Sequence, residues 1–269
     1  MLMILIRLFT LRLIIIASFT GVLLYSNLVQ AGNASYILLS NTIARKTQLN
    51  VVANNAANST TNGYIADMVS FDKVNLKQNA KRKNSFVRAS GIYRDSKNGG
   101  IRITHNPTDL AIEGKGYFKI LTPRGPRYTL DGSFHFDYDG VLVNHQGYPC
   151  SSIDSAVIQV EGNYDQLNIA HDGTISVNNA VIDRVGVFNF QDHVFLKKEG
   201  DNLYMSSGPE IIIDNYTIQS GALKMSNVNS TKVMVDMVEL QRSYGTSTKL
   251  MSDLSDLERN TISKMSLHK

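Results

Sequence analysis

The residue types that carry catalysis or bind metals are present in this sequence, but their spacing matches no active site. The histidines have neither cysteine nor paired-carboxylate neighbours at metal-ligand spacing. No Gly-Lys-Ser/Thr follows the glycine pair at residues 114–116, and no serine stands in a Gly-x-Ser-x-Gly elbow. The acidic turn at residues 137–140 lacks the bidentate Glu of a calcium loop and instead predicts a hairpin turn. We therefore expect no enzyme activity, no cofactor and no metal site. The histidines are His105, His135, His145, His171, His193 and His268.

The composition indicates a folded protein that does not bind nucleic acid. The chain has 269 residues, of which 43% are hydrophobic and 19% charged, and its formal net charge is +4. This content is typical of packed domains, and the charge is small for the length. The single cysteine, Cys150, excludes an internal disulfide. A local basic run is expected to be a solvated loop, with contact to an anionic partner as the alternative. It comprises Lys77, Lys81, Arg82, Lys83 and Arg88.

The most distinctive spacing lies between residues 48 and 64. Apolar residues at three- and four-residue intervals predict a helix with one narrow apolar stripe, and its small residues allow a neighbouring backbone to come close. The asparagines that follow favour helix ends and turns, because their side chains compete for backbone hydrogen bonds. Gly63 can adopt positive φ, so the chain can turn there. The segment therefore predicts a helix that ends in a polar, side-chain-bonded turn. Its defining residues are Leu49, Val52, Ala53, Asn54, Asn55, Ala56, Ala57 and Asn58.

Short alternating runs separated by Asp-Gly pairs predict an antiparallel β domain at residues 106–205. These pairs are Asp131-Gly132, Asp139-Gly140 and Asp172-Gly173. Residues 66–105 before the domain are expected to form an extended linker or arm with some strand, and residues 206–222 a return linker.

The end of the chain, residues 223–269, predicts a long helix with a coiled-coil seam. Ser226 or Asn227 is expected to cap its start. The helix at residues 32–65 is thinly apolar, so it needs a partner. Its apolar stripe begins with Tyr36, Leu39 and Ile43. The seam steps by four and three residues through Val233, Met237, Leu240, Tyr244, Ser247, Met251 and Leu254.

Several separate blocks, in order, closely resemble the flagellar rod and hook proteins of bacteria. The resemblance covers nearly everything after residue 32. The blocks are residues 51–55, 57–58 and 61–64, then 110–118 and 128–134, and finally residues 223, 226–229 and 242–244.

The resemblance implies an α+β fold in which N- and C-terminal segments form a discontinuous helical coiled-coil domain around a central antiparallel β domain. It also implies a structural subunit of the basal-body rod, required for motility and exported through the type III apparatus. The expected partners are other rod and basal-body proteins and further copies of the chain. The proximal-rod type is the closest match, with the distal-rod paralogue as the alternative. The implied assembly interface comprises Leu49, Val52, Ala53, Asn54, Asn55, Ala57, Asn58, Gly63, Ser226, Asn227, Val228, Val233, Met237, Leu240, Tyr244, Met251 and Leu254.

The first 31 residues allow three interpretations. Arg7 and Arg12, followed by an apolar run and a small residue, fit a cleavable secretory signal. A membrane anchor is the second interpretation, and only in that case would the chain contact a membrane. The resemblance adds a third, an upstream error in the start site, because members of the family begin near the segment that matches residues 33–36.

Two functions of other classes compete with a rod subunit. A signal-like leader before a β-rich domain is compatible with a secreted binding protein whose helices pack within a single chain. A hydrolase would need a nucleophile, a base and an orienting group, and no such set is present in the sequence.

Overall fold

The structure, a computed structural model, describes residues 35–79, 82–95, 97–160, 166–190, 196–213 and 216–266. The predicted leader at residues 1–31 and Lys81 of the basic run lie outside these ranges. The described chain confirms the α+β prediction: a helix at each end flanks a series of antiparallel strands. Two compact units are present, one formed by residues 54–67 and 94–233 and the other by the remaining segments.

Helix α1 occupies residues 35–57, and helix α2 spans Ser230–Ser266. The strands in chain order are β1 (Asp67–Asn79), β2 (Arg82–Arg94), β3 (Ile101–Ile103), β4 (Leu110–Glu113), β5 (Tyr117–Thr122), β6 (Gly125–Thr129), β7 (Phe134–Phe136), β8 (Leu142–Asn144), β9 (Leu167–Ile169), β10 (Thr174–Val177), β11 (Ala180–Arg184), β12 (Val187–Asn189), β13 (Leu196–Gly200), β14 (Leu203–Ser206), β15 (Ile211–Ile212), β16 (Thr217–Ser220) and β17 (Ala222–Lys224).

The helical unit contains most of α1, the two-stranded hairpin β1–β2, and α2 from Met234 onward. Helices α1 and α2 pack together, and the Ser35 hydroxyl donates a hydrogen bond to Glu258 Oε1 at 3.3 Å. Among the described residues, no helix combines the length and apolarity that crossing a membrane requires.

Helix α2 carries one stripe that is less exposed than the rest of its surface. Of the seven predicted seam positions, Val233 and Leu240 are buried and the other five are half-buried. Their three- and four-residue spacing keeps them on one face, which explains why sequence periodicity identified them. The helix continues through Gly245, which has open space around its Cα.

The predicted cap of α2 is wrong, because Asn229 takes that position. Its Oδ1 accepts the Lys232 amide at 2.9 Å, the side-chain-to-N3 bond of an N-cap. Asn227 is engaged elsewhere, since its Oδ1 accepts the Ala66 amide at 2.7 Å. The hydroxyl of Ser226 accepts the amide of Val228 instead.

The β unit has its centre in a six-stranded antiparallel sheet, in the order β13-β14-β6-β5-β12-β15. Smaller sheets surround it, including β16–β4 and β17–β3, which pair late strands with early ones. Aromatic rings fill the interior, with the rings of Phe118 and Phe134 edge to face at 5.2 Å. The largest fully buried side chains are Tyr204, Phe118, Phe134, Phe188, Leu110, Ile112, Ile120, Leu142, Ile158, Ile175, Ile218 and Val160.

Two of the three predicted Asp-Gly hairpins are confirmed. Asp139-Gly140 joins the paired strands β7 and β8, and Asp172-Gly173 joins β9 and β10. Asp131-Gly132 joins strands of different sheets, so the hairpin prediction there is wrong. Gly132 instead lies against the backbone of Leu110, whose amide donates to the Gly132 carbonyl at 2.9 Å.

The predicted linkers contain regular structure. Residues 66–105 form β1, β2 and β3, where β1 and β2 are each 13 residues long, and residues 206–222 include β15 and β16. The predicted domain boundaries stay predictions.

Candidate functional site

The polar segment after the stripe of α1 is held by an asparagine whose side chain imitates a β-strand partner. The amide nitrogen of Asn55 donates to the Asp67 carbonyl at 2.8 Å, and its Oδ1 accepts the Asp67 amide at 2.9 Å. Asn55 is 7% exposed, so these bonds are shielded from water. One side chain therefore satisfies both backbone groups of Asp67 at the start of β1.

Tyr64 joins the same network through its hydroxyl. That hydroxyl lies 2.7 Å from Asn54 Oδ1 and 3.0 Å from Asn55 Oδ1. Burial, with a smaller contribution from the Asp67 charge, raises the pKa of Tyr64 above its ordinary value, so the hydroxyl stays a donor at neutral pH.

The turn between Asn55 and Tyr64 is closed by local bonds. Asn58 Nδ2 donates to the Asn54 carbonyl at 2.9 Å, and the Thr61 hydroxyl donates to Asn58 Oδ1 at 3.2 Å. These contacts confirm that α1 ends in a side-chain-bonded turn.

Gly63 is required for backbone contact within the β unit. Its φ is +65°, and a Cβ built on it would lie 2.4 Å from the carbonyl carbon of Leu130. Its amide donates to the Lys224 carbonyl at 2.7 Å. No side chain fits at this position without moving the backbone.

Asn227 connects the end of the β unit to its beginning. In addition to the bond from Ala66, Asn227 Nδ2 donates to the Lys97 carbonyl at 2.8 Å, and the Asn227 amide donates to the Tyr64 carbonyl at 3.3 Å. We call the side chains of Asn54, Asn55, Tyr64 and Asn227 the asparagine clamp.

Lys198 covers the clamp from strand β13. Its Nζ donates to the Ile65 carbonyl and to Asp67 Oδ2, both at 2.9 Å, and lies 4.2 Å from the centre of the Tyr64 ring. Desolvation lowers the pKa of Lys198, while the bond to Asp67 opposes that shift. Lys198 and Asp67 were missed by sequence reasoning, because no local pattern predicts a contact over 131 residues.

The clamp has no chemistry of a reaction centre. Its groups are neutral amides and a phenol whose hydrogen bonds fix backbone geometry, and the described residues hold no group of three metal-ligating side chains. Its physical effect is to fix the last turn of α1 against the start of β1 within the β unit.

The structure divides the predicted interface residues into two groups. The clamp asparagines, with Gly63, lie together in the β unit, whereas the seam residues of α2 lie along the helix. At the end of α1, Ala53 and Ala57 are exposed, and so is the clamp residue Asn54. Their role in contacts between subunits stays a prediction.

A second apolar set lies on the two helices. Its α1 members were predicted as the start of the apolar stripe of that helix, whereas its α2 members were not predicted. These large side chains are 40 to 65% exposed, more than the seam residues of α2. The set comprises Tyr36, Leu39 and Ile43 on α1 and Met234, Val235, Val238, Leu250, Leu257 and Ile262 on α2.

Comparison with known proteins identifies two matching family profiles. Residues 111–177 match the flagellar hook protein FlgE/F/G D1 domain, and residues 219–264 match the C-terminal region of flagellar basal body rod FlgEFG proteins.

Individual relatives match most of the chain. The flagellar basal-body rod protein FlgF of Rhizobium meliloti is 32% identical over 212 residues, covering 78% of this chain and 88% of the relative. FlgF of Caulobacter vibrioides is 31% identical over 219 residues, covering 79% and 89%. The rod protein FlgG of Buchnera aphidicola subsp. Acyrthosiphon pisum is 29% identical over 231 residues, covering 75% and 87%.

Proposed function

Because this chain belongs to the FlgEFG family of flagellar basal-body rod proteins, we propose that it is a subunit of the proximal rod. The family is structural and non-enzymatic, its place is the flagellar basal-body rod, and membership implies assembly with other rod and basal-body proteins. The relatives named FlgF, at 32% and 31% identity, support the proximal assignment over the distal one. FlgG at 29% is close behind, so the distal paralogue is the alternative.

The exposed apolar set on α1 and α2 is the observation that supports self-association. Tyr36 is 65% exposed and Leu257 is 62% exposed, although both are large apolar side chains on helices that already pack together. Fully burying an exposed side chain of this size is favourable by about 1.5–3 kcal/mol, so burying these partly exposed side chains against a neighbour would contribute a fraction of that each. A patch that binds a different patch on the next copy generates a helical array, which is the geometry of a rod.

The clamp supports this function indirectly. Both polar atoms of the Asn55 side-chain amide are hydrogen-bonded within their own chain, so Asn55 positions the end of α1. We propose that the exposed neighbours Ala53, Asn54 and Ala57 supply the surface that meets an adjacent subunit. Small residues there would allow two backbones to approach closely.

The test is a pair of charge substitutions in the source cell. Leu257→Asp changes the exposed helix surface, and Val181→Asp makes the same change on the exposed strand β11, where the side chain is 71% exposed. We expect Leu257→Asp to abolish motility and to be missing from purified hook–basal bodies by mass spectrometry. Val181→Asp should assemble normally.

The same preparation identifies the chain's position and its first residue. Recovery of the chain together with proximal-rod proteins supports the proximal assignment, whereas recovery only with distal-rod segments supports the alternative. A motile Leu257→Asp strain with normal incorporation would overturn the proposed interface. Absence of the parent chain from basal bodies would overturn the rod function itself.

A further inference from the structure

The chain contains two Asn-Gly pairs, Asn62-Gly63 and Asn98-Gly99, and they have different surroundings in the structure. Glycine leaves its own backbone amide unhindered, because it has no Cβ and a wide choice of backbone conformations. That amide nitrogen can attack the side-chain carbonyl of the preceding asparagine. We propose that Asn98 is a site of spontaneous deamidation in the folded protein, and that its isoaspartyl product loosens the contact between the chain before β3 and the chain after β17.

The reaction is balanced without an enzyme or a cofactor. The Gly99 amide nitrogen loses its proton to solvent and forms a bond to Asn98 Cγ, and the bond from Cγ to Nδ2 breaks as ammonia leaves. Water then opens the cyclic succinimide. Opening at the main-chain carbonyl leaves the chain running through Cγ, which is an isoaspartyl linkage, and opening at Cγ gives aspartate. In sum, the side-chain amide and a water become a carboxylic acid and ammonia.

Both reacting groups at Asn98 are accessible. The side chain is exposed, and residues 97–100 have no regular secondary structure. Asn98 Nδ2 donates to the Gly114 carbonyl at 3.3 Å, which is exposed and longer than the usual range of about 2.7–3.2 Å. The Gly99 amide has no acceptor among the residues that the structure describes. The attack therefore disrupts little existing structure.

The second pair is held on both sides. Gly63 is buried, and its amide donates to the Lys224 carbonyl at 2.7 Å. The Asn62 carbonyl accepts Asn202 Nδ2, and Asn62 Oδ1 accepts Arg102 Nη2 at 3.4 Å. The Gly63 amide must leave its acceptor before it can attack Asn62, so deamidation there requires a local opening of the structure.

The product at Asn98 affects the segment that follows β17. A Cβ at Gly99 would lie 1.9 Å from the Met225 carbonyl oxygen, so the two backbones are in close contact. On either side, the Gly100 carbonyl accepts the Met225 amide at 2.7 Å, and the Lys97 carbonyl accepts Asn227 Nδ2 at 2.8 Å. An isoaspartyl linkage adds a methylene to the main chain between these two bonded positions. The added length loosens the bonds that flank it.

The first experiment compares the two pairs within the same molecules. The purified full chain is incubated at mildly alkaline pH and digested with chymotrypsin at acidic pH, and each modified position is assigned by mass-spectrometric fragmentation. Synthetic peptides of residues 58–66 and 94–102 give the rates without folded structure. Asn98→Gln is the control variant, because glutamine keeps the amide but would have to close a larger, less favourable ring.

We expect Asn98 in the folded chain to deamidate within a factor of about three of its peptide. Asn62 should react at least about tenfold more slowly than its own peptide, since a local opening of about 1.4 kcal/mol corresponds to tenfold. Asn98→Gln should leave residue 98 unmodified over the same period. Protection of Asn98 by about tenfold or more, or equal rates for the two pairs in the folded chain, would overturn the site assignment.

The second experiment tests the structural consequence by hydrogen exchange at the Met225 amide. It compares the fresh chain, the isoaspartyl form after chromatographic separation, and Asn98→Asp, which carries the same charge without the added methylene. We expect about tenfold faster exchange in the isoaspartyl form and no change in Asn98→Asp. Equal exchange in all three would overturn the loosened contact. Equal acceleration in Asn98→Asp would overturn the role of the lengthened backbone.

Discussion

Replacing Asn55 with leucine removes the centre of the asparagine clamp while keeping the number and branching of the side-chain heavy atoms. The parent side chain exchanges two hydrogen bonds with the backbone of Asp67, and its Oδ1 shares the single Tyr64 hydroxyl proton with Asn54 Oδ1. Leucine can make none of them. The backbone amide and carbonyl of Asp67 then lose their partners at a position that Asn55 shields from solvent.

The expected cost follows from the two bonds to Asp67, because the Tyr64 hydroxyl keeps Asn54 Oδ1 as an acceptor. The two bonds contribute about 1 kcal/mol each, and leaving the shielded amide and carbonyl of Asp67 unsatisfied adds about 1 kcal/mol or more. Asn54→Ala is the matched control, because it removes one acceptor of the Tyr64 hydroxyl while Asn55 Oδ1 remains. Its cost should be about 1 kcal/mol or less.

Hydrogen exchange at the Asp67 amide measures this local stability directly. Global unfolding does not isolate this single contact, because it reports the stability of a whole compact unit. Since about 1.4 kcal/mol corresponds to tenfold, Asn55→Leu should reduce protection of this amide about hundredfold. Asn54→Ala should reduce it less than about tenfold.

A small change in the protection of the Asp67 amide would refute the stabilising role of the clamp. If Asn55→Leu leaves the protection of Asp67 within a factor of about three of the parent, those bonds contribute under about 1 kcal/mol. The end of α1 would then be held by packing alone.

Three further predictions concern single side chains in the β unit and in β2. Lys224 is 4% exposed, its Nζ has no partner among the described residues, and desolvation lowers its pKa. Lys224→Met should therefore raise the unfolding free energy by on the order of 1 kcal/mol at pH 7. Between pH 7 and 9.5 the unfolded chain carries more protons at residue 224 than the folded chain does. The unfolding free energy of the parent, measured by urea titration, should therefore rise over this range more than that of the variant. The thiol of Cys150 is fully buried with its pKa raised to about 12, so iodoacetamide at pH 8 should label it only in urea, by mass spectrometry. Gly63→Ala should reduce the unfolding free energy by about 2 kcal/mol or more and lower the melting temperature by several degrees. Gly91→Ala should do neither, because a Cβ added there has nothing within 4 Å.

Sequence reasoning succeeded where one local pattern determined the structure. The three- and four-residue spacing from Val233 to Leu254 identified the least exposed face of α2, and the run of asparagines identified the end of α1. Both signals arise within a few residues of chain, where backbone geometry fixes which side chains are neighbours.

Sequence reasoning failed where a distant segment competes for the same group. Asn227 resembles a helix cap in the sequence, but Ala66 takes its side-chain oxygen, so Asn229 becomes the cap. The Asp131-Gly132 pair resembles a hairpin, but contact with Leu110 sends the chain to another sheet.

The bond between Ala66 and Asn227 has a kinetic consequence. It joins residues 161 positions apart, and closing a loop of that length costs about 4 kcal/mol or more in chain entropy. Contacts of such long range form late in folding, after the intervening strands have organised. We therefore expect the strands of the β unit to form first and the bond between Ala66 and Asn227 to form last. The end of α1 would then become fixed only after the rest of the β unit has folded.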